Sequence, residues 1–256
     1  FGSSIISSHW MNFKNVFFEI EDFQLTDQCV GEGTFGKVYI AEKVNEPQSD
    51  GEATPKFAAK IIKFDKDIGL SGKEQMKLMR EATILHQLKH PSIVKFIGIN
   101  FQKFDDPTQL EPTIITEYLP NGSLKSLLHN KKKRPDSFTL TPTHKYIWLL
   151  GISNALKYLH QQGILHRDLK SDNVLLDNNY YPRICDFGIS RCFSNLHSNT
   201  LTGAIGTPLY MAPELFDEDT TYTEKVDVFA FGILAYEIIT ETIPYHELPK
   251  QKRNPY

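Results

Sequence analysis

The chain has 256 residues, of which 40% are hydrophobic and 23% are charged, a composition typical of a globular protein with a substantial core. Its formal net charge of −3 gives no electrostatic reason to expect nucleic acid or an anionic membrane as a partner. No apolar run is long enough to span a bilayer, and Cys29, Cys185 and Cys192 lack the spacing of zinc ligands. We therefore expect reduced thiols, a cytoplasmic location and no membrane contact.

The first half of the chain is predicted to form a small sheet. Residues 1–20 mix serine, aromatic and charged residues and are interpreted as an N-terminal extension or linker. Five segments rich in β-branched and aromatic residues then predict strands: Phe23–Val30, Lys37–Glu42, Phe57–Ile62, Ile93–Ile99 and Thr113–Tyr118.

A single helix is predicted between the third and fourth strands. Leu78, Ala82 and Leu85 keep helical spacing, and Glu81 falls on the same face of that helix. A carboxylate on an apolar face needs a partner, because burying it alone is costly.

The second half of the chain is predicted to be mainly helical. The helical segments are Ser123–Leu128, Lys145–His160 and Val226–Thr240. Pro120-Asn121-Gly122 interrupts regular structure, so we expect a first part over residues 21–118 and a second part over residues 119–256. The predicted fold class is α+β.

Two short motifs in the second half indicate phosphoryl transfer. Residues 166–173 read His-Arg-Asp-Leu-Lys-Ser-Asp-Asn, and Asp-Phe-Gly follows at 186–188. Together they supply three candidate groups for handling a metal ion or a proton, with two cations beside them: Asp168, Asn173 and Asp186, with Arg167 and Lys170. Transfer of a phosphoryl group needs an acceptor for the hydroxyl proton, oxygen ligands for Mg²⁺ and positive charge near the phosphates.

A glycine-rich motif follows the first strand, with glycines at Gly31, Gly33 and Gly36. Such a pattern alone also fits a dinucleotide-binding turn, in which the third glycine opens a helix. Here the chain continues from Val38 as a strand, which favours a hairpin that folds over the phosphates of a nucleotide. The glycines would let backbone N–H groups approach the anion closely.

Lys60 follows the apolar stretch Phe57-Ala58-Ala59 of the third strand, where a lysine would ordinarily extend its ammonium into solvent. The inward-facing Glu81 favours a different interpretation. A lysine–glutamate pair between strand and helix would hold the ammonium against the α- and β-phosphates.

These motifs resemble the catalytic domain of the eukaryotic protein kinases over about residues 23–249, and are most similar to the tyrosine-kinase-like group of serine/threonine kinases. The resemblance implies a two-lobed fold, ATP and Mg²⁺ as cofactors (with Mn²⁺ as an alternative ion), and protein substrates. It implies that Asp168 orients the acceptor hydroxyl, Lys170 contacts the γ-phosphate, and Asn173 and Asp186 bind the metal. Lys60 and Glu81 would act as the catalytic ion pair.

The resemblance also implies a set of ATP-binding residues. Thr116 would be the gatekeeper at the back of the adenine pocket, and backbone groups of Glu117 and Leu119 would bond the adenine. The whole set is Val30, Gly31, Gly33, Gly36, Val38, Ala58, Lys60, Thr116, Glu117, Leu119 and Leu175.

Residues 186–214 resemble a kinase activation segment, and residues 210–214 match the motif that closes it. The resemblance implies that Arg167 holds a phosphate in this segment bidentately. The predicted regulatory residues are Arg167, Ser198, Thr200, Thr202 and Thr207. An upstream kinase and trans-autophosphorylation both stay open as the source of that phosphate. Asp227 matches the aspartate with which the family anchors its catalytic loop.

The acceptor residue is predicted to be serine or threonine. Lys170 and Thr207 are typical of that specificity, whereas Ile115–Tyr118 and Asn121–Leu124 look tyrosine-kinase-like, so tyrosine or dual specificity is the alternative. The resemblance further implies C-terminal helices beyond Tyr256, and we expect the chain to be a truncated or partial kinase domain. A non-catalytic ATP-binding scaffold is therefore a second alternative.

Overall fold

A computed structural model describes residues 22–33, 36–44, 54–62, 72–102, 110–130, 138–188, 190–192, 208–216 and 222–247. The chain divides into two compact units. The first, here called the sheet unit, comprises residues 1–87 and 95–118. The second, the helical unit, comprises residues 88–94 and 119–256.

The sheet unit contains one antiparallel sheet with the strand order β1-β2-β3-β5-β4. Its strands are β1 (Phe23–Gly33), β2 (Gly36–Lys43), β3 (Lys56–Ile62), β4 (Phe96–Gln102) and β5 (Leu110–Glu117), and its helix is α1 (Gly72–Gln87). The prediction of five strands and one helix in this half of the chain is confirmed for the residues that the structure describes.

One face of this sheet forms an apolar core. Phe23, Ala41, Ala59 and Ile115 are buried in it, and the rings of Phe23 and Phe57 meet edge to face with centroids 5.3 Å apart. Because side chains alternate along a strand, the neighbours of Ala59 on β3 lie on the opposite face of the sheet. That face carries Lys60, considered below.

Gly36 is required by the packing of the sheet itself. It opens β2 opposite Ile62, and a Cβ at this position would lie 1.9 Å from the carbonyl oxygen of Ile61. A Cβ at Gly31, in contrast, would meet Val38 at an ordinary 3.8 Å. The third glycine of the motif therefore has a structural reason that does not depend on a bound nucleotide.

The fourth strand begins later than the sequence pattern predicts. Ile93 and Val94 belong to the helical unit, where Val94 N donates to the carbonyl of Ile184 at 2.9 Å and Ile184 N donates to that of Ser92 at 2.8 Å. The strand itself starts at Phe96. A continuous apolar run shows that residues are buried but does not show in which unit they are buried.

Where it is described, the helical unit contains three α-helices, which are α2 (Leu124–His129), α3 (Pro142–Gln161) and α4 (Lys225–Thr240). Four short strands form two pairs, β6 (Ile164–Leu165) with β9 (Arg191–Cys192) and β7 (Val174–Leu176) with β8 (Pro182–Ile184). Within the described residues, no helix has both the length and the hydropathy that crossing a membrane requires.

Helix α3 is fixed at its first turn and along one side. The side chain of Thr141 accepts a hydrogen bond from His144 N, and Nδ1 of His144 accepts one from Thr141 N, which forms a capping box. Trp148, which is fully buried, donates its Nε1–H to the carbonyl of Tyr180 at 2.8 Å. These contacts fix α3 against the turn between β7 and β8.

Gly151 allows α3 to approach β8 closely. A Cβ added at Gly151 would lie 2.6 Å from Cγ of Pro182 and 3.0 Å from Oγ of Ser92. A Cβ added at Gly232 on α4 would have no neighbouring heavy atom within 4 Å. Gly232 is therefore a helical glycine at which a methyl group fits, and it serves as the control for Gly151.

We expect Gly151→Ala to destabilise the helical unit by about 1–3 kcal/mol, because overpacking outweighs the better helix propensity of alanine. Gly232→Ala should instead stabilise it by about 0.5–1 kcal/mol. Urea unfolding followed by tryptophan fluorescence measures both changes, since Trp148 lies on α3. Equal stabilities of the two variants would contradict the close packing of α3 on β8.

Candidate active site

Lys60 and Glu81 form an ion pair within the sheet unit. The Nζ of Lys60 on β3 lies 2.7 Å from Oε1 of Glu81 on α1, and Glu81 is only 6% exposed. The carboxylate that the sequence places on an inward helix face therefore has its partner. Such a charge-assisted hydrogen bond fixes the direction in which the ammonium points.

The strand register brings predicted ATP-binding residues together around this ion pair. Val38 on β2 is directly opposite Lys60, and Ala58 is directly opposite Thr116 on β5. Residues opposite each other in an antiparallel pair project from the same face, and so do residues two apart on a strand. These four side chains therefore share one face of the sheet.

The other predicted ATP-binding residues are divided between the two units. Val30 lies at a register irregularity in β1 and is 47% exposed, and Glu117 accepts a hydrogen bond from Lys95 N at 2.8 Å through Oε1. In the helical unit, Leu119 is buried and Leu175 lies half-buried on β7.

A buried carboxylate holds the loop of residues 166–173 in place. Asp227 on α4 is fully buried and accepts hydrogen bonds from the backbone N–H of His166 at 2.9 Å and of Arg167 at 2.8 Å. The Nε2 of His160 on α3 lies 2.9 Å from the same carboxylate. The structure thus forms the anchor that the family resemblance implies for Asp227.

Arg167 needs this anchor because its backbone is in the left-handed region, with φ of 68°. A residue with a side chain adopts that conformation at a cost, so the surrounding contacts must hold it there. The two hydrogen bonds to Asp227 fix the two peptide groups that immediately precede the Cα of Arg167.

His166 joins the loop to the segment that carries Asp186. Its Nε2 lies 3.1 Å from the carbonyl oxygen of Cys185, and Asp168 N donates to its Nδ1 at 3.3 Å. A carbonyl only accepts, so Nε2 carries the hydrogen and Nδ1 is the acceptor, which is the neutral imidazole. The ring also meets that of the fully buried Phe187 with centroids 5.0 Å apart.

Asp168, Lys170 and Asn173 converge within this loop. The Nζ of Lys170 lies 2.7 Å from Oδ2 of Asp168, and Asn173 Nδ2 donates to the same oxygen at 2.9 Å and to the Asp168 carbonyl at 2.8 Å. The arrangement places an oriented carboxylate beside a cation and an amide, which are groups that could handle a hydroxyl proton and a phosphate.

The two predicted metal ligands lie on adjoining segments. Cys185 N donates to the carbonyl of Asn173 at 2.9 Å, and Asp186 is the next residue, with φ of 62°. The amide of Asn173 donates through Nδ2 to Asp168, so its oxygen is the atom that could act as a metal ligand. A carboxylate and an amide oxygen suit Mg²⁺, which keeps several waters and shares phosphate ligands.

No group of three or more His, Cys, Asp or Glu side chains in the described part of the chain could hold a metal by itself. Asn173 and Asp186 would provide only part of the coordination shell of a metal ion. They fit an ion whose remaining ligands are phosphate oxygens and water.

The predicted regulatory residues are only partly described. Arg167 is 5% exposed, and its guanidinium carbon lies 5.3 Å from the ring centroid of Tyr222, in a cation–π arrangement. Ser198, Thr200, Thr202 and Thr207 lie outside the described residues, so their regulatory role stays a prediction.

Sequence reasoning assigned no role to His160, His166 or Phe187. Each supports the loop or the Asp186 segment through contacts with residues at least 19 positions away in the sequence. The only signal in the sequence was indirect. Asp227 and Glu237 are charges inside an otherwise apolar helix, and charges so placed require polar partners from elsewhere in the fold.

A family model for the protein kinase domain matches residues 25–255. The chain belongs to the protein kinase family. The resemblance that its motifs carry is thereby confirmed.

This kinase domain is 38% identical over 237 residues to a probable serine/threonine-protein kinase of Dictyostelium discoideum. The aligned region covers 92% of this chain and 23% of that protein. It is 35% identical over 223 residues to serine/threonine-protein kinase TNNI3K of Mus musculus, and that alignment covers 86% of this chain and 24% of TNNI3K. It is 34% identical over 221 residues to serine/threonine-protein kinase 36 of Mus musculus, and that alignment covers 86% of this chain and 15% of that kinase. The chain spans about a quarter, or less, of the length of these relatives.

We expect Asp227→Asn to destabilise the kinase domain by about 2–4 kcal/mol, because an amide nitrogen would face backbone donors in a buried site. Asp172→Asn is the matched control. Asp172 pairs with Lys125 at 2.9 Å, but both side chains are about half exposed, so its loss should cost less than about 1 kcal/mol. Urea unfolding measures both. A cost for Asp227→Asn no larger than that of the control would contradict the anchor.

Proposed function

We propose that this chain transfers the γ-phosphoryl group of ATP to serine or threonine hydroxyls of protein substrates. The observation that carries the proposal is the convergence of Lys170 and Asn173 on the carboxylate of Asp168, in a loop anchored by the buried Asp227. Positioning and electrostatic stabilisation provide most of the catalysis in phosphoryl transfer, and a rigid set of oriented charges supplies both.

In this proposal each group of the loop has a separate task. Asp168 accepts a hydrogen bond from the acceptor hydroxyl and orients its oxygen for in-line attack. Lys170, 2.7 Å from that carboxylate, places positive charge where negative charge develops on the transferred group. Asn173 holds the carboxylate of Asp168 in the required orientation through its amide N–H.

The sheet unit supplies groups that are suited to the phosphates of the nucleotide. Lys60, oriented by Glu81, contacts phosphate oxygens, and the hairpin with Gly31 and Gly33 presents backbone N–H groups to them. Asn173 and Asp186 would hold Mg²⁺, which neutralises phosphate charge when bound; Mn²⁺ is the alternative ion. Protein substrates are the proposed partners.

Specificity for serine and threonine is supported by Lys170 and by the matched relatives. Those relatives are serine/threonine-protein kinases by name, at 34% to 38% identity. A cytoplasmic location is proposed because the three cysteines are odd in number and lack the spacing of zinc ligands, a pattern typical of reduced thiols.

Lys60→Met should lower phosphate transfer at least about 100-fold, because the phosphates lose an oriented cation. Lys56→Met is the control, since Lys56 begins the same strand but is exposed, and its activity should stay within about twofold. The measurement is transfer of radiolabelled γ-phosphate from Mg·ATP to dephosphorylated casein. Full activity of Lys60→Met would exclude the proposed role. Binding of Mg·ATP without transfer by the unmodified chain would favour a non-catalytic scaffold.

We expect phosphoserine and phosphothreonine, without phosphotyrosine, when the radiolabelled product is hydrolysed and its phosphoamino acids are separated. Asp186→Asn, which lacks a proposed metal ligand, should show none of the three and serves as the control for a contaminating kinase. Phosphotyrosine as the main product would establish the alternative specificity.

A further inference from the structure

The helical unit has an open cavity of about 340 Å³ on a surface that the candidate active site does not use. The cavity lies between the segment of residues 88–94 and helix α3, and its volume is that of a small binding site. Its lining residues include His90 and Ser92 from that segment, and Gly151, Asn154, Lys157 and Gln161 from α3.

A buried hydroxyl opens on this cavity. A Cβ added at Gly151 would lie 3.0 Å from Oγ of Ser92, so the absence of a side chain on the glycine leaves room beside that oxygen. Ser92 is only 9% exposed, and its hydroxyl makes no hydrogen bond to any residue that the structure describes. Since polar groups of buried residues are normally paired, this hydroxyl takes its partner from the cavity, either water or a ligand.

His90, which also lines the cavity, is a hydrogen-bond donor. Its Nδ1 accepts from Ser92 N at 3.0 Å, and its ring stacks on that of Tyr158 with centroids 5.2 Å apart. Burial, and after it the charge of Arg183, hold the pKa of His90 below its ordinary value, so the ring is neutral. A neutral ring that accepts at Nδ1 carries its hydrogen on Nε2.

The charge that lines the cavity is positive. Lys157 is on its wall and forms no ion pair with a described residue, and no acidic side chain of the described chain lines the cavity. Asn154 and Gln161 add amide N–H groups. No arginine is among the described lining residues, and phosphate groups are typically held by arginine. One ammonium among neutral donors is therefore better suited to a carboxylate.

Exposed apolar side chains continue the same face of α3 beyond the cavity. Helical spacing places Leu150 in one row with Asn154 and Lys157, and Tyr146 one turn before Leu150. Leu150 is 48% exposed and Tyr146 is 67% exposed. Large exposed apolar side chains grouped beside a polar cavity are typical of a surface that binds a protein. We call the cavity together with Tyr146 and Leu150 the α3 groove.

The spacing within the α3 groove fits an extended peptide chain. Leu150 and Lys157 are seven residues apart, which is about 10.5 Å along a helix. In a polyproline II segment, residues three positions apart lie on the same side and are separated by about 9.3 Å. An apolar residue and an acidic residue with that spacing can therefore contact Leu150 and Lys157 at the same time.

We propose that the α3 groove binds an extended segment of a protein partner in which an apolar residue lies three positions from an aspartate or a glutamate. The apolar residue packs on Leu150. The carboxylate enters the cavity, where Lys157 supplies the opposite charge and Ser92 a hydroxyl donor. The open shape of the cavity suits a chain that crosses it better than a small molecule, which is usually enclosed. This binding goes beyond phosphate transfer and does not depend on it.

The test measures how the 256-residue chain binds the fluorescein-labelled peptide Glu-Pro-Pro-Leu-Pro-Pro-Glu, by fluorescence anisotropy and without ATP. Its prolines favour the polyproline II conformation, and a glutamate on each side of the leucine makes the probe independent of chain direction. We expect saturable binding with a Kd below about 1 mM. The same peptide with glutamine in place of both glutamates should bind at least about threefold more weakly, because it lacks the negative charge.

Reversal of the charge of Lys157 tests the ionic contact. Lys157→Glu should raise the Kd of the glutamate peptide at least about fivefold, because attraction becomes repulsion, and should change the Kd of the glutamine peptide less than about twofold. Lys225→Glu makes the same change on an exposed lysine at the start of α4 and should leave both Kd values within about twofold. An equal loss of affinity for the two peptides in Lys157→Glu would contradict the ionic contact.

Leu150→Gln tests the apolar contact. We expect it to raise the Kd of the glutamate peptide at least about threefold, because the leucine of the peptide loses its apolar neighbour. Val228→Gln is the matched control, since Val228 on α4 is also 48% exposed, and its Kd should stay within about twofold. The same Kd for the two variants would exclude the proposed contact with Leu150.

Ser92→Ala separates a role in binding from a role in stability. Because the hydroxyl makes no hydrogen bond to a described residue, its removal should leave the midpoint of urea unfolding unchanged and raise the Kd of the glutamate peptide at least about threefold. Ser153→Ala removes a hydroxyl that donates to the Leu150 carbonyl at 3.0 Å, and its Kd should stay within about twofold. A lower unfolding midpoint with an unchanged Kd in Ser92→Ala would show that the hydroxyl is structural.

Three further outcomes would overturn the inference. The first is no saturable binding of the glutamate peptide, or binding that Lys157→Glu and Leu150→Gln leave unchanged. The second is tighter binding of the same peptide with phosphoserine in place of both glutamates, which would assign the groove to a phosphate. The third is a dimer in sedimentation velocity that Lys157→Glu abolishes, which would assign the groove to a second copy of the chain. None of these measurements uses ATP, so their results are independent of the proposed phosphate transfer.

Discussion

The organisation of the helical unit depends on one fully buried carboxylate, that of Asp227. Two backbone N–H groups of the loop donate to it, and they belong to His166 and Arg167, the residues immediately before Asp168. The left-handed backbone of Arg167 could not persist in a solvated loop without such restraint. The position of Asp168 is therefore set from the core outward, through α4, and not by the exposed side of the loop.

The same helix carries a second restraint about 15 Å further along its axis, given ten residues at a rise of 1.5 Å. Glu237 contacts His129, Ser171 and Tyr210, while Asp227 contacts His160 and the loop backbone. Each carboxylate is costly to bury alone, and each becomes acceptable only when donors from other segments surround it. The two buried carboxylates on α4 therefore determine which segments pack against the helix and in what orientation. An entirely apolar helix would not select its neighbours in this way.

The sequence allowed the element types and the ion pair of Lys60 with Glu81 to be predicted, because both follow from local patterns. Alternation and helical spacing place apolar residues, and an inward-facing Glu81 requires a cation. The start of the fourth strand could not be predicted, because Ile93 and Val94 are as apolar as the strand that follows yet pack in the other unit. The contacts of His160 and His129 could not be predicted either, since they join residues 67 and 108 positions apart.

Gly36 and His166 show why a motif can be recognised without its physical reasons being known. The pattern of glycines suggests close approach to phosphate, yet Gly36 is already required by the carbonyl of Ile61 on the neighbouring strand. His166 begins the most informative string in the sequence, but its contribution is a hydrogen bond to the Cys185 carbonyl and another from Asp168 N. Those two bonds require opposite roles of the two ring nitrogens, which only a neutral imidazole provides. A substitution that preserves the polarity of His166 without both roles would uncouple Asp168 from the segment that carries Asp186.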